Sequence, residues 1–387
     1  MLSRSPALRI RLVGAGFRWG WLAGCLLLLA GLGAEGSTNR VDRGFAYTHE
    51  VDSKVPWSIH IFRLDRGRSD LVLTSALGHG NRLGMNVLEE QVRLLSPALG
   101  KPLAAINGDF YIDEPALSGD PRDLQIHEGE LISAPQGNAC FWIDALGNPH
   151  STNVVSRLRV RWSDGRETPM GLNQLREPEA TVLYTPAVGS NTPVQPGTEL
   201  ILESAGSSWV PLRPGQTLRA RVRAHHSQGA TPVEASTLVL AVTPQLAAQA
   251  PVGSELQILT ETSPDLTGVT TAIGGGPTLV RDGKAREWSG FLLRNPRSAV
   301  GWNKDHIFLV EVDGRQAGLS VGMTFPEFAN YLVQMGCDQA MNLDGGGSAA
   351  LWVFGQLMSN PSEGQERPGA NSLVVLQRKG SAEQASH

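Results

Sequence analysis

Two aspartates stand where a carboxylate could meet a substrate. Asp344 follows the apolar run 339–343 and precedes Gly345-Gly346-Gly347-Ser348; Asp313 follows 307–312 and opens the turn Asp313-Gly314-Arg315. Three glycines in a row cost a regular element roughly 1 kcal/mol each against alanine. Their gain is close backbone approach to a ligand and N–H groups that can point at an anion. A second run, Gly274-Gly275-Gly276-Pro277, repeats the feature, and Arg294, Arg297 and Arg315 flank both. A guanidinium fork matches phosphate or carboxylate. The chemistry that this pattern allows is a carboxylate acting beside an anion-holding loop.

The elements that must place these residues are readable around them. Residues 307–312 form a strand by their apolar run. Thr324-Phe325-Pro326-Glu327 is a capping box with proline in the first turn, where its missing N–H costs nothing. The helix it opens should bury Phe325, Phe328, Leu332 and Met335 and stop at Gly336. A strand over 339–343 follows. This strand–helix–strand unit puts Asp313 and Asp344 at the ends of two strands running the same way, so the two ends are expected as neighbours. Upstream, 85–95 places Leu88, Val92 and Leu95 on one helical face, and 103–106 is a short buried strand leading into Asn107-Gly108-Asp109-Phe110-Tyr111. Residues 150–265, rich in Thr, Val, Arg, Pro and Gly, read as an all-β central region. The fold class expected is α+β: a β-rich mixed sheet with one strand–helix–strand unit near the C-terminus.

Composition bounds the function. With 33 Lys+Arg against 37 Asp+Glu, the formal net charge is −4, and no basic block suggests nucleic acid as a partner. Apolar residues at 41% supply a core and exclude global disorder. Residues 1–36 differ from the rest: Arg4, Arg9, Arg11 and Arg18 precede an uncharged apolar run from Trp19 to Gly33, then Ala34-Glu35-Gly36. This reads as a signal peptide cut near Gly36, so the expected location is secreted or periplasmic, with no stable membrane span afterwards. The alternatives are an uncleaved anchor or a lipid on Cys25. The domain reading is then 1–36 signal peptide, 37–379 one domain and 380–387 a disordered tail. Cys140 and Cys337 are far apart; a long-loop disulfide and two buried thiols both stand. Gly31-Leu32-Gly33-Ala34-Glu35-Gly36 matches a dinucleotide fingerprint by letter only, since it lies in the signal. The adjacent His225 and His226 belong on a solvated strand face.

The blocks 295–302 (NPRSAVGW), 309–353 (containing VDGR and NLDGGGS) and 359–375 together resemble the phosphodiester glycosidase family, of the N-acetylglucosamine-1-phosphodiester α-N-acetylglucosaminidase type. INGDFY (106–111), LQIHEGELISAP (124–135) and IGGGPTLVRDGK (273–284) are similar to the family's other blocks, in order. Two positions depart from the pattern: Asp109 stands where many members have Gly, and Ala349 follows Ser348 where Ser is common. The resemblance implies hydrolysis that removes a sugar from a sugar-1-phosphate diester on envelope or extracellular glycans. It implies Asp344 as the carboxylate for the anomeric carbon or its water, with Asp313 as partner or orienter. Arg297, Arg315 and the amides of Gly345, Gly346 and Gly347 would hold phosphate, with Ser348 beside them. Asn107 and Asn342 would bind sugar hydroxyls or orient Asp344. Asp109 joins the substrate site, and Asp120 and Arg122 either line the cleft or form a surface ion pair. No cofactor is required by this reading. Asp109, Asp313 and Asp344 offer oxygens to a divalent cation, but no loop has a calcium pattern, so a metal is left open. The rival functions are a non-catalytic glycan-binding or exopolysaccharide-assembly protein and a metal-dependent phosphodiesterase cutting P–O. The sugar, the anomeric outcome and the oligomeric state are not legible.

Overall fold

A computed structural model describes residues 40–42 and 44–378, except 207, 208, 228 and 291. The expected signal peptide and C-terminal tail lie outside the described residues. The described residues are 47% strand and 9% helix, which places the fold on the β-rich side of α+β. An eight-stranded sheet contains Trp57–Asp65, His306–Val312, Arg297–Trp302, Gln339–Asn342 and Thr278–Arg281 in that spatial order. A five-stranded sheet runs Gln356–Leu357, Leu351–Val353, Lys101–Asn107, Asn371–Gln377, Leu71–Leu77.

Period-two alternation explains how these sheets pack. Along Trp57–Asp65, Ser58, His60, Phe62 and Leu64 share one face, and Ile59 and Ile61 the other. Phe62 and Leu64 join Leu309, Met341, Ile106, Val353 and Leu373 in one apolar cluster, built from both sheets. Ile59, Ile61 and Val310 pack instead on Phe328, Ala329 and Leu332 of the helix Phe325–Gln334. The helix has the expected capping box: the Thr324 side chain accepts from Glu327 N, and the Glu327 carboxylate accepts from Thr324 N at 2.9 Å. Gly336, at φ 86°, follows its end. Phe325 and Met335, expected inside, are only partly buried. The shorter helix Leu88–Arg93 turns Leu88, Val92 and the following Leu95 inward as the sequence implied.

The strand–helix–strand unit is present with one difference. His306–Val312 and Gln339–Asn342 run the same way, but Arg297–Trp302 lies between them, antiparallel to both. With strands about 4.8 Å apart, the ends carrying Asp313 and Asp344 are separated by roughly 10 Å of sheet rather than adjacent. The helical crossover fixed the direction of the strands but carried no information about a third strand inserted from upstream. The central region forms most of a twelve-stranded sheet, which also takes in Gln136–Ile143, Thr271–Ile273 and Gln125–His127. Its single parallel pair, Gly171–Leu172 with Val182–Leu183, makes it mixed. A short helix, Pro244–Ala248, interrupts the otherwise β central region. His225 and His226 are exposed, as expected for a solvated face. Cys140 and Cys337 are both buried and free, and they belong to different apolar clusters.

Candidate active site

A cleft of ≈ 1180 Å³ opens where the glycine runs meet; its lining includes Asp109, Arg122, Gly275, Gly276, Arg297, Arg315, Asn342, Asp344, Gly345 and Gly346. Ten of its wall positions therefore come from segments singled out by residue type. The glycines are there for space. A Cβ on Gly345 would meet Pro296 O at 2.7 Å, and one on Gly274 would meet Asp109 Oδ2 at 2.3 Å. Gly346, at φ 63°, opens a single 3₁₀ turn over Gly346–Ser348, a conformation that side chains disfavour.

Asp344 is held at three points. Its N–H donates to Gly108 O at 2.8 Å, and its carbonyl accepts from Asn107 Nδ2 at 2.7 Å. Its Oδ1 accepts from Gly345 N at 2.9 Å. Burial raises its pKa, and Ser348, the Gly345 amide, Arg367 and Arg122 pull it back in part. Asp109 is more deeply set, 3% exposed. Its N–H donates to Asn371 Oδ1 and its Oδ2 accepts from Asp123 N, both at 2.8 Å. Burial first, and the Asp123 charge next, push its pKa well above the carboxylate range, and Asp344 adds to the push. The cleft thus holds three carboxyls, Asp109, Asp123 and Asp344, and burial with the Asp123 charge pushes Asp109 further up than Asp344.

Asn342 is locked at the neck between the glycine runs. Its carbonyl accepts from Gly276 N at 2.7 Å and its Nδ2 donates to Gly276 O at 3.0 Å. Its buried Oδ1 has no partner. Arg297 is 9% exposed; its Nε and Nη2 donate to the carbonyls of Met323 and Leu293, at 2.8 and 3.0 Å. Its guanidinium lies 4.1 Å from the centre of the Phe325 ring. Burial, with Arg315 nearby, lowers its pKa to about 10. Arg315 is exposed, at φ 60°, and donates one bond, Nε to Asn295 Oδ1 at 3.0 Å. Arg122 is exposed and also lines the cleft. Arg294, by contrast, is paired with the capping residue Glu327.

Five candidates stand away from the cleft lining. Asn107 lies behind it: Oδ1 accepts from Ser298 Oγ at 2.6 Å and Ala350 N at 3.0 Å, so it orients Asp344 rather than facing a ligand. Gly347 and Ser348 are buried under the loop. Asp120 is neither a cleft residue nor the partner of Arg122; it is 2% exposed, Oδ1 is unpaired, and burial lifts its pKa to about 8. The strand Leu117–Pro121 ends between them, so Arg122 leaves the strand and is exposed while Asp120 stays buried within it.

Asp313 also faces elsewhere. Its Oδ2 accepts from Ser58 Oγ at 2.7 Å and Asn360 Nδ2 at 2.8 Å, with His60 Nε2 at 3.1 Å; Oδ1 accepts from Asn360 N at 2.6 Å. It does not line the cleft, and Asp109, Asp313 and Asp344 do not come together as a metal-ligand group among the described residues. The sequence reading missed Asp123, Arg281, Arg286 and Trp288 as cleft residues, and placed Phe325 only in the core; all five line the cleft. Trp288 and Phe325 form an aromatic pair at 5.0 Å. Their spacing carries no motif, because loop and helix bring them together only in the fold.

Comparison with known proteins adds the following. Residues 216–376 match the phosphodiester glycosidase family. That span includes both glycine runs, Arg297, Arg315 and Asp344, and leaves out Asn107, Asp109 and Arg122. The SPbeta prophage-derived uncharacterized protein YomE of Bacillus subtilis is 32% identical over 114 residues, covering 28% of this chain and 18% of its own length. Among solved structures, a hypothetical protein from Synechocystis superposes with TM-score 0.72 at 20% identity, over 89% of this chain and 64% of that one. A protein from Burkholderia pseudomallei named "Putative exported protein" superposes with TM-score 0.63 at 22% identity, over 83% and 74%. These two share the fold. The chain spans under a fifth of the curated relative and about two thirds of the Synechocystis chain. No described helix is long and apolar enough to cross a membrane.

Proposed function

We propose, from the match of residues 216–376 to the phosphodiester glycosidase family, that this chain is a hydrolase that cleaves the C–O bond joining a sugar's anomeric carbon to a phosphodiester. Export through the N-terminal segment would place it on envelope or extracellular glycans. The observation that carries the reading is Asp344: a carboxylate fixed by Asn107 and Gly108 at the cleft wall, beside the Gly345–Gly346 turn and within reach of the Arg122 charge.

The chemistry follows from what each group offers. Water adds its oxygen to the anomeric carbon and passes its proton to the Asp344 carboxylate. The C–O bond breaks, and its electron pair leaves on the phosphate oxygen. A phosphodiester is a weak base and needs little proton donation to depart; it needs its charge held. Arg122 and Arg315, both exposed at the cleft, have donors free for phosphate. Arg297 shapes the wall through its carbonyl bonds and adds its charge at close range. Asp109, the more protonated carboxyl, serves as a hydrogen-bond donor to the departing oxygen. Asn342, locked to Gly276, holds the two glycine runs together at the cleft, and the Trp288–Phe325 pair offers an apolar ring face to the sugar.

The test is turnover of a sugar-1-phosphodiester by wild type and Asp344→Asn. The substitution keeps shape and removes charge, so folding should hold within about 1 kcal/mol. The rate should fall at least ~100-fold. A folded variant of near-native activity would return Asp344 to a structural role.

A further inference from the structure

We propose that a divalent transition-metal ion of the Zn²⁺ or Mn²⁺ type binds between His60, Glu311 and Asp313, in the interior of the eight-stranded sheet and away from the cleft. Each of the three side chains offers one ligand atom, and these atoms lie within 4.8 Å of one another. The residues are 2%, 1% and 0% exposed. None of them lines the cleft.

The need for an ion comes from Glu311. Its Oε2 is buried with no hydrogen-bond partner, while the neighbouring Asp313 is surrounded by donors. Glu311 and Asp313 alternate onto the same face of His306–Val312 as Ile307 and Leu309, which belong to the apolar cluster between the sheets. Two carboxylates side by side in such surroundings carry a large desolvation cost. A divalent cation cancels both charges and supplies the missing partner of Oε2.

The surroundings have the form of a layer that orients metal ligands. His60 Nδ1 lies 2.8 Å from Tyr47 Oη. With Nε2 turned to the ion, Nδ1–H donates to the phenol oxygen, which sets tautomer and ring orientation. His49 stacks on His60 with ring centres 4.3 Å apart, and its Nε2 lies 2.9 Å from Ser58 Oγ. Ser58 and Asn360 hold the Asp313 carboxylate in place. One imidazole with two carboxylates suits Zn²⁺ or Mn²⁺, whereas Ca²⁺ takes six to eight oxygens. The ion would tie Asn360 and its loop to the sheet. Across the strand pair from Glu311 is Ser298, whose Oγ reaches Asn107 and so the back of Asp344.

The experiment counts bound metal and does not depend on turnover. Protein expressed with added Zn²⁺ and Mn²⁺, purified without chelator and desalted, is analysed by plasma mass spectrometry. The expected result is about one equivalent per chain in wild type and in Asp344→Asn, falling below about 0.1 in Glu311→Gln and in His60→Gln, since losing one of three ligands removes the site. Wild-type protein below about 0.1 equivalent overturns the proposal and leaves a proton shared by the two carboxyls. An equivalent retained by Glu311→Gln and His60→Gln but lost in Asp109→Asn or Asp344→Asn overturns it too, by moving the ion to the cleft. Should Glu311→Gln not fold, His60→Gln and the wild-type count decide.

Discussion

The side-chain amide of Asn107 donates to the backbone carbonyl of Asp344 at 2.7 Å, and through this bond the five-stranded sheet holds the end of a strand in the eight-stranded one. The same side chain accepts from Ser298 Oγ and Ala350 N with its oxygen. One asparagine therefore ties three segments behind the site, and reversing its amide would lose the bonds to Asp344 O and Ala350 N.

Asn107→Ala should cost about 2–3 kcal/mol, because it leaves buried polar groups without partners. Urea unfolding measures that loss. Turnover should also fall, through a displaced Asp344, with kcat lowered more than KM is raised. A variant of unchanged stability would mean that water replaces the amide.

Arg297 and Arg315 should respond differently. Arg297 is buried, bonded to two carbonyls and packed on Phe325. Arg297→Lys should therefore lose about 1–3 kcal/mol of stability along with activity. Arg315 is exposed, so Arg315→Ala should leave stability within about 0.5 kcal/mol. Its kcat/KM should drop on the order of 100-fold, the loss of one charge-stabilising donor. Thermal melts and kinetics on both variants separate the roles; a destabilised Arg315→Ala of full specific activity would reverse them.

The cleft carboxyls set a pH profile. Asp344, raised by burial, loses its charge as pH falls, so kcat/KM should decline on the acid side above the usual aspartate pKa of about 3.9. Asp109, pushed further up by burial and by Asp123, loses its proton as pH rises, giving a decline on the alkaline side. Asp109→Asn should abolish the alkaline limb and keep the acid one. An unaltered alkaline limb in that variant would remove Asp109 from the reaction.

Much of this was legible in the residues, for reasons that can be named. The Thr324–Glu327 capping box and the Gly345–Gly347 turn are local signals, and local hydrogen bonding and sterics decide them. Asp313 was read from the same kind of signal, a carboxylate ending an apolar strand, yet it faces His60. Which way a strand-end side chain points depends on the sheet beside it, and Arg297–Trp302 came from upstream to separate the two strands. His60, Glu311 and Trp288 carried no spacing clue, since their partners lie on elements distant in sequence. Glu311 did have a detectable oddity: a charged residue in the middle of the apolar run 307–312.

The central claim concerns which bond breaks, and isotope placement reads it directly. A sugar-1-phosphodiester is incubated with the protein in oxygen-18 water, and the products are analysed by mass spectrometry. Attack at the anomeric carbon puts the label in the released sugar and none in the phosphate monoester, the result this account predicts. Label in the phosphate would contradict it, assigning the cleft to P–O cleavage; no turnover of any such diester would leave a glycan-binding protein instead.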